Sequence, residues 1–210
     1  SLTGEPLLRP LAYAHSDDAQ AVAASTEFYL GDWLLVAPVT ETGRETWKAY
    51  LPSGQWTNHW TDEVYHGPTE VTVAAPLREL QGLPIFVRAG AILPRQAVTD
   101  YLVNSPPTAL ELDVHPADVE SELVLRESPT DVSRFACSPH ADGFLLTLEN
   151  SLKIPREYTV LLPVAGVVSA QVDGAATALD AVTTPYGLKR LAVTVTVAPG
   201  ATCLIEVRTA

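Results

Sequence analysis

From Glu45 onward the apolar residues of this chain fall on every second position, in short runs closed by glycine and proline. Trp47, Ala49 and Leu51 alternate with Thr46, Lys48 and Tyr50, and Pro52-Ser53-Gly54 follows as a stop signal. A period of two predicts a strand with one buried face, and the Pro/Gly cluster predicts its end. The pattern repeats over residues 56–60 and 70–74, around a predicted turn at His66-Gly67-Pro68. Residues 34–39 and 84–89 are instead continuously apolar, as in strands covered on both faces, the second breaking at Gly90 and resuming to Pro94. Asn104-Ser105-Pro106-Pro107 is the best linker, after which Leu110, Leu112 and Val114 share one predicted face and Glu111 and Asp113 the other. Further strands are predicted at 144–148, 158–163, 167–172, 191–197 and 202–207, with hairpin turns at Asp142-Gly143 and Asp173-Gly174.

Residues 1–34 read differently. They are Ala-rich, with a helix predicted over about 18–30, started by Asp17-Asp18, carrying Val22 and Phe28, and stopped at Gly31. Evenly spaced short strands and 17 prolines make the fold class all-β, with two consecutive antiparallel β-sandwich domains.

Composition narrows the function. The net charge of -12, from 13 basic and 25 acidic residues, argues against nucleic acid and anionic membrane, which need clustered Lys and Arg. It suits a neutral, hydroxyl-rich ligand. No apolar run approaches the roughly 18 residues of a membrane span. The chain has no methionine and opens SLTGEP, so a piece of a longer protein is expected. Cys137 and Cys203 stand far apart with no CxxC or nearby His, which points to two buried free thiols and no metal, and leaves a disulfide open.

Four blocks carry a resemblance. They are GEPLLRPL (residues 4–11), GDWLLVAPV (31–39), YLPSGQW (50–56) and LPIFVRAGAILP (83–94). In this order and at these intervals they resemble glycoside hydrolase family 31, the α-glucosidases, α-xylosidases and their relatives. The likeness is good over roughly residues 4–115 and holds in outline beyond. Departures are WTNHWTD, where Asn58 and Asp62 stand in place of an acid and a glycine, a longer RELQGLP connection, and VLRESPTDV where members carry an acidic turn. The resemblance implies residues 1–34 as a short α/β remnant of the end of a (β/α)8 barrel, 35–106 as a proximal C-terminal β-sandwich and 107–210 as a distal one. It implies a parent that cleaves α-glycosidic bonds with retention, using two carboxylates about 5–5.5 Å apart. In the family both are aspartates upstream of the first block. No position here matches them, so no catalytic residue is assigned and the chain alone is expected to be inactive. The partners implied are the catalytic barrel of the same polypeptide and the parent's carbohydrate substrate; no cofactor is implied. Without the barrel, apolar faces of residues 1–40 and of the proximal sandwich are expected to self-associate or to leave the N-terminus disordered.

Candidate sites are few. Trp47, Trp56, Trp60 and Tyr65, with Tyr50, could form an aromatic platform for sugar rings; the competing reading is that they fill the core, where large rings bury most area. The platform would make the chain a free-standing carbohydrate-binding sandwich, which has no need of the barrel-end block at residues 4–11. Asp17-Asp18 reads as a helix cap rather than an active-site pair. Asp113, Asp118, Glu120 and Glu122 read as a solvated acidic face rather than a cation site. The histidines at 15, 59, 66, 115 and 140 lack ligand spacing. Arg9 and Arg88 are expected to be buried and paired.

Overall fold

The structure, a computed structural model, describes residues 4–76, 78–79, 82–97 and 106–210. It divides into two compact units, Ser1–Ala89 and Gly90–Ala210. Antiparallel strands dominate both, as the alternating pattern requires.

The first unit builds one hydrogen-bonded sheet from six strands. In chain order they are β1 (Leu8–Pro10), β2 (Phe28–Leu30), β3 (Leu34–Val36), β4 (Thr46–Asn58), β5 (Val64–Ala74) and β6 (Ile85–Arg88), and in space β1-β2-β3-β6-β4-β5. Two short helices, α1 (Leu11–Ala14) and α2 (Ala19–Ala23), lie between β1 and β2. Because β1 and β2 pair within the same sheet as β3, residues 4–34 are not a separate layer. The helix predicted to Leu30 stops at Ala23. Phe28 and Tyr29 instead pair with Val36 and Leu35, which sends Tyr29 into the core, so sheet pairing overrides the helical propensity of the Ala-rich stretch.

The predicted stops at Pro52-Ser53-Gly54 and His66-Gly67-Pro68 are not turns. They face each other as a bulge inside the long β4–β5 ladder, with Leu51 opposite Thr69 and Gly54 opposite Gly67. Pro52 and Ser53 thus oppose Pro68 alone, and the interrupted ladder is where a strand tolerates proline. A Cβ on Gly67 would sit 1.9 Å from the Pro52 carbonyl oxygen, so the close approach of the two strands depends on glycine there. Beyond the bulge β4 keeps β5 on one edge, Trp56 opposite Tyr65, and gains β6 on the other, where Trp56, Thr57 and Asn58 pair.

The second unit is a sandwich. One sheet has the order β14-β13-β17-β11-β10-β9 and the other β15-β16-β12-β8-β7. Its strands are β7 (Ile92–Arg95), β8 (Ala109–Val114), β9 (Ser121–Arg126), β10 (Val132–His140), β11 (Gly143–Glu149), β12 (Arg156–Pro163), β13 (Val167–Val172), β14 (Ala175–Thr177), β15 (Asp180–Thr183), β16 (Lys189–Val197) and β17 (Thr202–Thr209). All pairings are antiparallel except β8 with β12. Inward residues of both sheets, such as Leu112, Val160, Phe135, Leu146 and Ile205, form one core.

The strand β7 pairs with β8, Ile92 opposite Val114, and so lies in this second unit. The sequence had assigned it to the proximal sandwich because it continues the β6 run. The break at Gly90 is therefore the boundary between units rather than a kink within one. Of the predicted linker, Asn104 and Ser105 fall outside the described residues, while the Pro107 carbonyl is held by Arg156. Strands β9 and β10 went unread in the sequence; VLR closes β9, and Glu127–Asp131 form the turn before β10. At Asp173-Gly174, both with positive φ (48° and 81°), the chain makes the two-residue turn expected there.

Candidate functional site

The first unit concentrates its polar and aromatic chemistry near α2. Asp18 caps that helix, its carboxylate accepting from Gln20 N at 3.0 Å and Ala21 N at 3.2 Å. It also accepts from the Tyr50 hydroxyl. That bond lowers the Asp18 carboxyl below its ordinary value, while burial and then Asp18 push Tyr50 up to about 12. Alongside, His15 Nε2 lies 2.8 Å from the Tyr29 hydroxyl, and Glu27 accepts the Tyr50 backbone N–H at 2.8 Å. Burial lowers the His15 pKa, helped by the charge of Arg88, and raises those of Glu27 and Tyr29. These groups satisfy one another and hold α2 onto β4. Asp17 is exposed and takes no part in the cap.

The aromatic candidates do not form one platform. Trp56 is fully buried, stacked 6.0 Å from Tyr29, with its indole N–H donated to the Pro52 carbonyl at 2.8 Å. It offers no face to a ligand. Trp60 donates its indole N–H to Leu83 O at 2.7 Å and meets His59 edge-on. Tyr65 packs against Phe86 and donates its hydroxyl to Glu63 at 2.6 Å. Trp47 differs. It is half-buried against the core, its indole N–H has no hydrogen-bond partner among the described residues, and it lines an open cleft of about 410 Å³ with Glu41, Arg44, Thr46, Lys48 and Thr72.

Arg9 is half-buried and pairs with Asp32 and with Gly31 O, as expected. Arg88 is exposed, a correction to the expectation of burial: the outward face of β6 carries it. Asp62 stands where the resemblance expects glycine, and its φ of 61° lies in the left-handed region glycine favours. The backbone requirement is retained while the residue has changed.

In the second unit, two ion pairs are buried. Asp113, predicted to face solvent, is 1% exposed, with Arg190 Nε at 3.4 Å and Arg95 Nη2 at 3.8 Å. Burial tends to raise its carboxyl, but neighbouring positive charge prevails and brings it down to about 2. His115 Nε2 at 3.7 Å and Arg95 at 3.8 Å both lie beyond hydrogen-bond reach and act through charge, so Arg190 is the nearest partner. A second pair, unread in the sequence, joins Arg156 bidentately to Glu127 at 2.7 Å for both bonds, with Arg156 Nε donated to Pro107 O at 2.9 Å. An arginine at the head of an apolar strand was its one signal. Asp118, Glu120 and Glu122 are exposed. Cys137 and Cys203 are free and buried, and burial pushes both thiols up to about 11. Among the described residues no group of three or more His, Cys, Asp or Glu could hold a metal ion.

The family model described as "Glycosyl hydrolase family 31 C-terminal domain" matches residues 4–93. Residues 4–93 carry the family 31 C-terminal domain. Relatives agree. A 1,6-alpha-glucosyltransferase of Sporosarcina globispora is 33% identical over 120 residues, 57% of this chain and 9% of that protein. The sulfoquinovosidase of Escherichia coli K12 is 42% identical over 87 residues, 41% of this chain and 12% of its own length. The chain thus spans about a tenth of the length of these curated relatives. A family 31 dextranase of Flavobacterium johnsoniae superposes with a TM-score of 0.81 over 99% of this chain and 29% of its own, at 20% identity, which extends the likeness in fold alone beyond residue 93.

Proposed function

We infer that this chain is the non-catalytic C-terminal β region of a retaining α-glycoside hydrolase, and that it braces the catalytic barrel of the same polypeptide. The carrying observation is the surface of the barrel-end block. Leu7, Leu8, Tyr13 and Val22 are all more than half exposed, although they flank Leu11 and Ala21, which are fully buried. Large apolar side chains gathered in so short a segment suit a surface that another domain covers. The segment lies in residues 1–34, read as the remnant of the last barrel unit even though its strands β1 and β2 join the first unit's sheet, with the rest of that unit and the second unit read as proximal and distal domains. The active carboxylate pair lies upstream by this reading, so the isolated chain is inactive. The relatives named act on different sugars, which fits a region that supports the barrel and leaves the choice of substrate to it.

The test is hydrolysis of p-nitrophenyl α-glucoside by this chain and by a polypeptide that restores the barrel ahead of it. Turnover by the longer protein alone is expected. Turnover by the isolated chain would overturn the reading, because it would demand a carboxylate pair within these residues.

A further inference from the structure

We propose that the cleft beside Trp47 is a binding site for a neutral saccharide, separate from any catalytic centre. The proposal rests on the reading of this chain as part of a carbohydrate-active enzyme, but its observations are its own. Of the aromatic residues singled out in the sequence, Trp56, Trp60 and Tyr65 have their polar atoms satisfied within the protein, and Trp56 has no exposed surface. Trp47 alone of these four leaves its indole N–H unbonded among the described residues and borders open space. The cleft's volume of about 410 Å³ falls within the roughly 300–1,000 Å³ of small-molecule sites.

Its charges decide the ligand class. Arg44 is paired with Glu41, and Lys48 with Glu70 at 2.7 Å, so cationic and anionic groups cancel two by two around the opening. Neither an anion nor a cation would gain from such a rim. A ligand with many hydroxyls gains more: it can accept from Arg44 and Lys48, donate to Glu41, and exchange either role with the hydroxyls of Thr46 and Thr72. The Trp47 ring supplies the flat apolar face on which the C–H side of a pyranose packs. Donors and acceptors around one aromatic face are what a sugar ring presents in reverse.

The experiment follows the four indole N–H resonances of the chain by NMR while maltotriose, and separately isomaltotriose, is titrated to millimolar concentrations. Trp47→Phe identifies its own resonance by removing it. The expected result is a saturable shift of the Trp47 signal with Trp33, Trp56 and Trp60 unmoved. Binding followed in parallel by titration calorimetry, which needs no Trp47 signal, should weaken by about tenfold or more in Trp47→Ala. Trp47 is half-buried and its replacement could unfold the unit, so a double variant, Arg44→Ala with Lys48→Ala, is measured beside it; both side chains are more than half exposed. Weaker binding in that variant supports the site. Absence of any shift, shifts confined to other indoles, or undiminished binding by the double variant would each overturn it. Failure here leaves the bracing role untouched, since that role is read from barrel-dependent activity; an inactive barrel fusion whose Trp47 signal still responds to sugar would separate the two the other way.

Discussion

The two units of this chain solve the same problem, a β core with polar residues inside it, by different means. The first, Ser1–Ala89, fills its core with Trp56, Tyr29, Tyr50 and Phe86 and satisfies the polar tips of the first three through the Pro52 carbonyl, His15 and Asp18. The second, Gly90–Ala210, is a sandwich whose core is mostly aliphatic, around Phe135, Phe144 and Tyr158, with buried ion pairs, Arg156 with Glu127 and Arg190 with Asp113. Hydrogen bonds from such neutral tips tolerate small movements. A buried ion pair does not, because losing one partner strands a charge in a poorly solvating place. The difference teaches where an open apolar face lies: in the first unit Leu7, Leu8, Tyr13 and Val22 crowd into one short segment, while in the second Val119, Ile154, Val164, Val168 and Leu204 are scattered along the chain.

All four tryptophans, at 33, 47, 56 and 60, lie in the first unit, so their fluorescence follows that unit alone while far-UV circular dichroism follows both. The largest expected effect is in the second unit. Arg156→Ala should destabilise it by about 3–5 kcal/mol, leaving Glu127 without its partner, and should move the dichroism transition in urea while the tryptophan transition stays in place. Movement of both together would mean that the units unfold as one. Trp56→Ala should do the reverse at comparable cost, about 3–5 kcal/mol from the first unit.

Next in size is acid. The Asp113 carboxyl, held at about 2 against 3.8 for an ordinary aspartate, adds stability that is fully present above the unfolded value and is lost as pH falls through the folded one. Between about pH 4 and pH 2 the second unit should therefore lose on the order of 2 kcal/mol. Urea midpoints across that range test it, and Asp113→Asn should flatten the dependence; an unchanged slope would remove Asp113 from the account. Gly67→Ala should cost the first unit about 1–3 kcal/mol by overpacking, with the collision at the Pro52 carbonyl as its cause. A midpoint equal to the wild type would mean that the bulge relaxes.

The smallest effect concerns the open face. If Leu7 and Leu8 await a covering domain, the isolated chain should associate weakly at high concentration, and Leu7→Lys with Leu8→Lys should return it to monomer in sedimentation without shifting either transition. Association that survives both substitutions would place the contact elsewhere.

Much of this was legible beforehand, and the reasons are local. Period-two alternation is set by the pleat of a single strand, so β4, β8, β11, β12, β16 and β17 could be read from their own residues. The Asp18 cap involves residues two and three positions away, and it too was visible. Stop signals were less reliable. Pro and Gly at 52–54 and 67–68 mark an interruption of pairing, and the sequence does not distinguish a turn, where the chain reverses, from a bulge, where two strands are interrupted opposite each other.

By itself, then, the sequence determined the all-β class and the family blocks. Tertiary structure decided the fate of individual side chains. Asp113 alternates like a solvent-facing residue, yet Arg190, 77 positions on, turns its site into a buried ion pair. Trp47 and Trp56 look alike in the sequence, but one is sealed beneath Tyr29 while the other borders a cleft. Alternation fixes which face of a strand a residue occupies; what covers that face comes from segments far along the chain, and no local pattern contains it.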